Sequence, residues 1–152
     1  MSVRTRISQQ QFRDVAEEAL VSLLVAAGHY GQRLNDLCRT YDITHDQYNI
    51  LRILRGVHPE GHPRFEIANR LVSRAPDVTR LLDRLERQGL VARGWSPENR
   101  RHSIARITDA GLDLLAAIDP ELHALQRTVT AGIARDDLEA CLRVCNQVTE
   151  RG

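Results

Sequence analysis

Two short amphipathic segments joined by only a few residues constrain the fold of this chain more than any other feature. The second segment carries an apolar stripe at helical spacing and is followed by Gly89, a helix stop signal. The members of that stripe are Val78, Leu81, Leu82 and Leu85. A first segment at residues 64–72 is expected to bury Phe65, Ile67 or Ala68, and Leu71. Helices this short are not stable alone, so both must pack on a shared core.

The connection and the start of the second helix are also predicted from residue type. Ser73, Arg74 and Ala75 form the turn, and Pro76 suits the first helical turn, where a missing N–H costs nothing. Behind the second helix, residues 90–95 and 103–108 contain β-branched residues and flank a stretch of turn formers and charge at 96–102. These residues predict a two-stranded β hairpin with a long basic tip.

Longer helices are predicted on both sides of this region. Ser8 and Gln11 fit a capping box that begins a helix running to about Tyr41, a length often found at subunit interfaces. Thr44 and Gln47 fit a second capping box, whose helix ends near Gly56 and is followed by a loop at 58–63. Thr108 is expected to cap the next helix, and Asp136 to begin the last. The 152 residues are expected to form a single unit.

The order helix, turn, helix, hairpin is that of a helix-turn-helix followed by a wing. The fold class predicted is therefore mainly α (α+β), with the winged helix-turn-helix at residues 44–108 and helical segments at 8–41 and 109–150. In such a fold the second helix enters the major groove of DNA, which is about 12 Å wide. Its residues that face away from the apolar stripe are Asp77, Thr79, Arg80, Asp83, Arg84 and Arg87.

The charge distribution points to the same surface. Residues 64–106 contain ten arginines and five acidic residues, whereas the chain as a whole has a net charge of only +1. A basic middle between acidic ends is typical of proteins that bind polyanions. All 21 basic residues are arginine, so each basic contact would use a planar, fork-shaped donor.

Three stretches of this region closely resemble the MarR-type transcriptional regulators. They are residues 78–93 (VTRLLDRLERQGLVAR), residues 99–101 (NRR) and residues 107–111 (ITDAG). The resemblance is strong over about 64–111, and the flanking helices match in length and order only. It implies a homodimer in which the helices at 8–41 and 109–150 form the dimer interface. It also implies that each subunit offers one recognition helix and one wing to a pseudo-palindromic double-stranded DNA operator.

Site residues follow from the resemblance position by position. The recognition helix would contact DNA through Arg74, Ala75, Pro76, Asp77, Thr79, Arg80 and Arg84. The DNA-binding residues of the wing would be Asn99, Arg100 and Arg101, of which Arg100 and Arg101 would enter the flanking minor groove. Asn99 stands where the family usually has an aspartate that braces a wing arginine, and Glu98 is the neighbouring acid that could replace it. Asp77 has a second explanation, because an acid also favours a helix N-terminus.

The regulatory signal has several candidates. Regulators of this type often bind small phenolic anions where the dimer helices meet the winged region. The residues that would line such a cleft here are His29, Tyr30, Arg33, Tyr48 and Arg52. Cys38, Cys141 and Cys145 leave a redox-responsive regulator open, although small buried hydrophobes explain the last two better. The six histidines show no common zinc-site spacing, so no metal site is expected.

Other function classes are disfavoured. The sequence contains no nucleophile–base pair, phosphate-binding loop or metal cluster, so neither an enzyme nor a cofactor is expected. No apolar run approaches the roughly 20 residues of a membrane span, and three cysteines without a CxxC motif favour a reducing cytoplasm. A winged-helix protein-interaction module without DNA binding is the remaining alternative, since fold does not fix function.

Overall fold

The computed structural model of the chain describes residues 2–9, 11–73, 77–96, 98 and 101–151. Its elements in chain order are α1 (Val3–Arg6), α2 (Val15–Arg39), α3 (His45–Arg55), β1 (His62–Pro63), α4 (Arg64–Arg70), α5 (Val78–Arg87), β2 (Val91–Trp95), β3 (Ser103–Ile107), α6 (Asp109–Thr130) and α7 (Arg135–Glu150). The strands form an antiparallel sheet in the order β1-β3-β2. The predicted mainly α fold with a hairpin wing is confirmed.

The chain forms two compact units, Met1–Asp119 and Pro120–Gly152. The first unit contains the helix-turn-helix and the sheet, and its core consists of side chains with almost no exposure. They are Ile50, Leu51 and Leu54 of α3, Ile67 of α4, Leu85 of α5, Val91 of β2, and Leu115 and Ile118 of α6. The second unit contains the end of α6 and α7. The predicted functional segments 44–108, 8–41 and 109–150 stay predictions.

The helix start predicted at Ser8 is wrong. Ser8 has φ +55°, in the left-handed region, and the long helix α2 begins instead at Val15 behind Asp14. The Asp14 carboxylate accepts the backbone N–H of Glu17 at 2.8 Å, and the Glu17 carboxylate accepts that of Arg13 at 2.6 Å. Two charged acceptors complement the positive end of a helix better than the neutral Ser8 and Gln11 pair.

The capping box predicted before α3 is confirmed and leads to a buried polar link. Thr44 accepts the N–H of Gln47 at 3.2 Å, and the Gln47 side chain accepts that of Thr44 at 2.9 Å. Gln47 is completely buried, and its amide donates to Gln88 at 3.3 Å. The amide of Gln88 in turn donates to the carbonyl of Asp42 at 3.0 Å. Because Gln88 caps α5, this chain of bonds fixes the end of α5 against the start of α3.

The loop predicted at 58–63 contains a third strand. His62 pairs with Ala105 and Pro63 with Ile104, so β1 adds to the outer edge of the wing strand β3. Gly61 lies so close to β3 that a Cβ there would meet the carbonyl oxygen of Ala105 at 2.1 Å. This close approach requires glycine, and it fixes the start of α4 against the sheet.

Cys38 is buried at the end of α2, with 2% of its surface exposed, and burial raises the pKa of its thiol to about 11. We therefore expect Cys38 to resist thiol reagents in the folded protein at pH 8. A rise from the ordinary 9.0 to about 11 lowers the reactive thiolate fraction roughly a hundredfold. The C141S/C145S variant leaves Cys38 as the only thiol, and its labelling should begin only at denaturant concentrations that unfold the chain. Rapid labelling without denaturant would contradict this expectation.

Candidate nucleic-acid interface

Helix α5 has well-defined ends and one buried face. Asp77 is its N-cap, and the carboxylate accepts the backbone N–H of Arg80 at 3.3 Å. At the other end Gly89 adopts φ +72°, and Leu90 donates to the carbonyl of Leu85 at 3.0 Å. Together with the bond from the N–H of Gly89 to the carbonyl of Glu86 at 2.9 Å, this bond forms a Schellman motif, which satisfies carbonyls at the helix end. Val78, Leu82 and Leu85 are buried, so rotation of α5 about its axis is fixed by packing.

The opposite face of α5 is polar and basic. Thr79, Arg80 and Arg84 are exposed, and among the described residues no ion pair engages Arg80 or Arg84. Arg87 donates from Nε to the carbonyl of Asp83 at 3.3 Å. The structure thus places Thr79, Arg80 and Arg84 together on one surface, with Asp77 occupied at least in part by capping. Their contacts with DNA stay predictions.

Several predicted contact residues cannot be placed. Arg74, Ala75, Pro76, Asn99 and Arg100 lie outside the described residues. Arg101 is described and exposed, and it lies two residues before β3.

The predicted brace between Glu98 and a wing arginine stays a prediction, because Arg100 lies outside the described residues. The backbone N–H of Glu98 donates to the Ser96 hydroxyl at 3.3 Å, and no ion pair joins its carboxylate to any described residue. A different acid pair holds the wing. Arg93 of β2 donates from Nη2 to Asp83 at 2.6 Å and from Nε to Glu86 at 2.7 Å, and both acids belong to α5. The hydrogen bond to Glu86 raises the pKa of Arg93, against the lowering effect of burial.

This ion-pair cluster was missed from the sequence, where Asp83 was assigned to the outward face of the recognition helix. Its partners are 7 and 10 positions apart. They meet because the Schellman turn at Gly89 folds β2 back along α5. The one signal available was Arg93 itself, a basic residue in an otherwise weakly polar strand. The cluster ties strand β2 of the wing to helix α5.

Replacing Arg93 with methionine should loosen the wing while leaving the fold intact. The substitution keeps the aliphatic bulk but removes both ion pairs. Because Arg93 is 29% exposed, the free energy of unfolding should fall by no more than about 1 kcal/mol. Amide hydrogen exchange across residues 91–107 should accelerate clearly. The control is Arg135→Met, which breaks the exposed Arg135–Glu139 pair of α7. Equal exchange at the wing in both variants would show that the cluster does not hold it.

A cleft of about 320 Å³ lies between α4, α5 and the wing. We name it the wing cleft, and its main lining residues are Arg64, Phe65, Thr79, Trp95, Arg101 and His102. Phe65 was expected in the core, but its side chain is 47% exposed because β1 turns the start of α4 toward the wing. Trp95 is 64% exposed. His102 meets Phe65 edge-on, with ring centroids 5.8 Å apart.

The five residues predicted to line an effector cleft lie on α2 and α3. His29 bonds Arg6 of α1 through Nδ1 at 3.1 Å and lines a concavity of about 350 Å³ against α1. Tyr48 is buried, and its ring stacks on His45 with centroids 6.2 Å apart. Burial raises the pKa of Tyr48. Tyr30 and Arg33 are half-buried, and Arg52 is exposed. A shared effector cleft stays a prediction.

The described residues contain neither a candidate metal cluster nor a helix that could span a membrane. No group of three or more His, Cys, Asp or Glu side chains is placed to hold a metal ion. In the same part of the chain, every helix is too short or too polar to span a bilayer.

Comparison with known proteins identifies the family. Residues 43–103 match the family model described as the MarR family. The crystal structure of a MarR transcription factor from Planctomyces limnophilus is 35% identical, and the match covers 90% of this chain and 99% of that chain with a TM-score of 0.69. The chain belongs to the MarR family. Its helix-turn-helix, wing and long flanking helices are therefore those of a MarR-type winged helix protein.

Two more distant structures share the fold of this MarR-family chain. One is S. aureus MepR in complex with DNA, at 21% identity, with 86% of this chain and 95% of that chain covered and a TM-score of 0.76. The other is PcaV from Streptomyces coelicolor in complex with its natural ligand, at 22% identity, with 93% and 98% covered and a TM-score of 0.72.

Proposed function

We propose that this protein is a sequence-specific DNA-binding transcriptional regulator, a cytoplasmic homodimeric repressor whose operator is pseudo-palindromic. The observation that carries the proposal is α5, a helix capped at both ends and packed on one face, which presents Thr79, Arg80 and Arg84 together beside a braced wing. Family membership and the DNA complex of MepR support it.

The chemistry of this face suits double-stranded DNA. Arginine can bind guanine O6 and N7 with both arms of its fork, or a phosphate, and threonine can contact a thymine methyl. Arg101 and Arg100 would extend the basic surface into the flanking minor groove, where A·T-rich sequences deepen the negative potential. Arg93 pairs with both Asp83 and Glu86 of α5 and so offsets one of their two negative charges.

Dimerisation is supported by apolar side chains left exposed on the helices that the family uses as an interface. On α2 these are Val15, Leu20 and Leu24, with exposures of 82%, 49% and 73%. On α7 they include Leu142, Val144 and Val148. Apolar side chains that recur along helices in this way are typical of surfaces that a partner covers. We propose that a second copy of this chain covers these apolar side chains.

A small phenolic or other anionic effector is proposed to control DNA binding. The ligand complex of PcaV supports a small-molecule signal. His29, Tyr30, Arg33, Tyr48 and Arg52 are the proposed binding residues, since arginine, histidine and tyrosine together can pair with an anion and donate to a phenol oxygen. Addition of the effector should release the operator.

The proposal is tested with duplexes from the region upstream of the protein's own gene. Fluorescence anisotropy should show tighter binding to one of these duplexes than to a scrambled duplex of the same composition. The logarithm of affinity should fall steeply with the logarithm of salt, by about 0.9 for each phosphate neutralised. Sedimentation of the same sample should give a dimer. A folded dimer without sequence preference at low salt would favour a protein-interaction module instead.

A further inference from the structure

We propose that the wing cleft seats the sugar–phosphate backbone that runs between the two grooves, with Arg64 binding a phosphate and Phe65 and Trp95 packing on deoxyriboses. None of these three residues belongs to the recognition helix or to the wing tip. The inference rests on the proposed function and adds a third contact region to it.

The position of the cleft follows from how a recognition helix and a wing dock together. When a helix occupies the major groove and a wing enters the adjacent minor groove, one backbone strand separates the two grooves and must pass between helix and wing. In this chain the space between them is the wing cleft, because Thr79 of α5 lines one side and Trp95 and Arg101 line the other. The backbone strand therefore meets the cleft lining directly.

The lining has the chemistry of a phosphate and sugar site. Arg64 is exposed and has no ion pair among the described residues, whereas Arg70 on the same helix is paired with Glu66 at 3.3 Å. The Thr79 hydroxyl adds a second donor of the kind that commonly binds DNA phosphates. Phe65 and Trp95 leave 47% and 64% of their surfaces in water, which is unfavourable until an apolar face such as deoxyribose covers them.

The cleft is also held in shape before DNA arrives. The pairing of Pro63 with Ile104 places Arg64 and Phe65 beside β3, and the rings of His102 and Phe65 make a T-shaped contact. Trp95 pairs with Ser103 across the hairpin, and Arg93 holds β2 to α5. Because both walls are fixed, little ordering is required on binding.

Trp95 is the only tryptophan of the chain, so its fluorescence reports on the cleft directly. Binding of the preferred duplex should shift the emission to shorter wavelength and should lower quenching by acrylamide severalfold. Binding itself is followed independently by anisotropy of a dye on the DNA. Unchanged emission and unchanged quenching on a duplex that is demonstrably bound would overturn the proposal.

Arg64→Ala is the second test, with Arg70→Ala as the matched control on the same helix. Removing one phosphate contact from each subunit of a dimer should lower the salt slope by about 2, since each contact contributes about 0.9. Affinity for preferred and scrambled duplexes should fall by the same factor, about tenfold or more, because phosphate contacts carry no sequence information. Arg70→Ala should change neither quantity.

Three outcomes separate this inference from the proposed function. If Arg64→Ala alone lowers both the affinity and the salt slope, the result supports binding of the DNA sugar–phosphate backbone in the wing cleft. Wild-type behaviour of both variants, with sequence-preferring binding intact, overturns the cleft and leaves the regulator standing. Absence of DNA binding by the folded wild-type dimer would overturn both.

Discussion

Replacing Arg80 and Arg84 together with alanine is expected to weaken operator binding about a thousandfold. Both side chains project from the outward face of α5 without an ion-pair partner among the described residues. A dimer loses four arginines, and at about 1 kcal/mol each the loss is about 4 kcal/mol, or roughly three powers of ten. Stability should change little, because neither side chain takes part in the core.

The single variants Arg80→Ala and Arg84→Ala then show whether each arginine contacts a base or a phosphate. A residue that reads a base loses affinity for the preferred duplex and relaxes sequence preference, whereas one that binds phosphate loses affinity for all duplexes alike. The charge-matched control is R13A/R135A, whose side chains are 81% and 89% exposed outside the basic region. The assignment fails if R80A/R84A binds the preferred duplex as tightly as this control.

Gly61→Ala adds only a methyl group, yet we expect it to affect the winged region more than any other substitution this small. The new Cβ would lie 2.1 Å from the Ala105 carbonyl oxygen and 2.8 Å from Cγ2 of Ile104. Since backbone is one of the contacts, β1 must move away from β3. Overpacking of this kind costs about 1–3 kcal/mol, and each kcal/mol lowers Tm by about 2–4 °C in a chain of this size.

The same change should reach DNA binding through the position of α4. When β1 moves, Arg64 and Phe65 move with it, so affinity should fall even at temperatures where the protein is fully folded. Gly94→Ala is the matched control on β2, where the new Cβ would meet no heavy atom of the described residues within 4 Å apart from its own residue and its chain neighbours. Calorimetry and anisotropy titrations measure both effects. A Tm for Gly61→Ala equal to that of Gly94→Ala would show that the close approach is not rigid.

Elements with a strong local cause were predictable from the sequence. The Thr44–Gln47 capping box, the buried stripe of α5 and the stop at Gly89 each depend on residues only a few positions apart. The wing strands followed from β-branched residues on either side of a turn-rich tip. The exposed residues of α5 could then be predicted as well, because assigning the buried face of a helix also assigns the opposite, exposed face.

Local sequence signals did not decide between two competing starts of the first long helix. Ser8 and Asp14 both precede helical patterns, and the sequence favoured the wrong one. The left-handed backbone at Ser8 and the paired acceptors Asp14 and Glu17 place the start of α2 at Val15. Choosing between two adequate caps depends on where the chain must turn, which is a property of the packed molecule.

The sequence by itself determined the helix-turn-helix, the wing and the polar face of the recognition helix, because short-range periodicity and capping decide each of them. Only the tertiary structure decided the third strand, the exposure of Phe65 and the Arg93 cluster with Asp83 and Glu86. A two-residue strand has no periodicity to detect, and its pairing depends on a partner more than 40 residues away. The wing cleft is formed by such long-range contacts, since residues near 64, 79, 95 and 102 come together only after the three strands have paired.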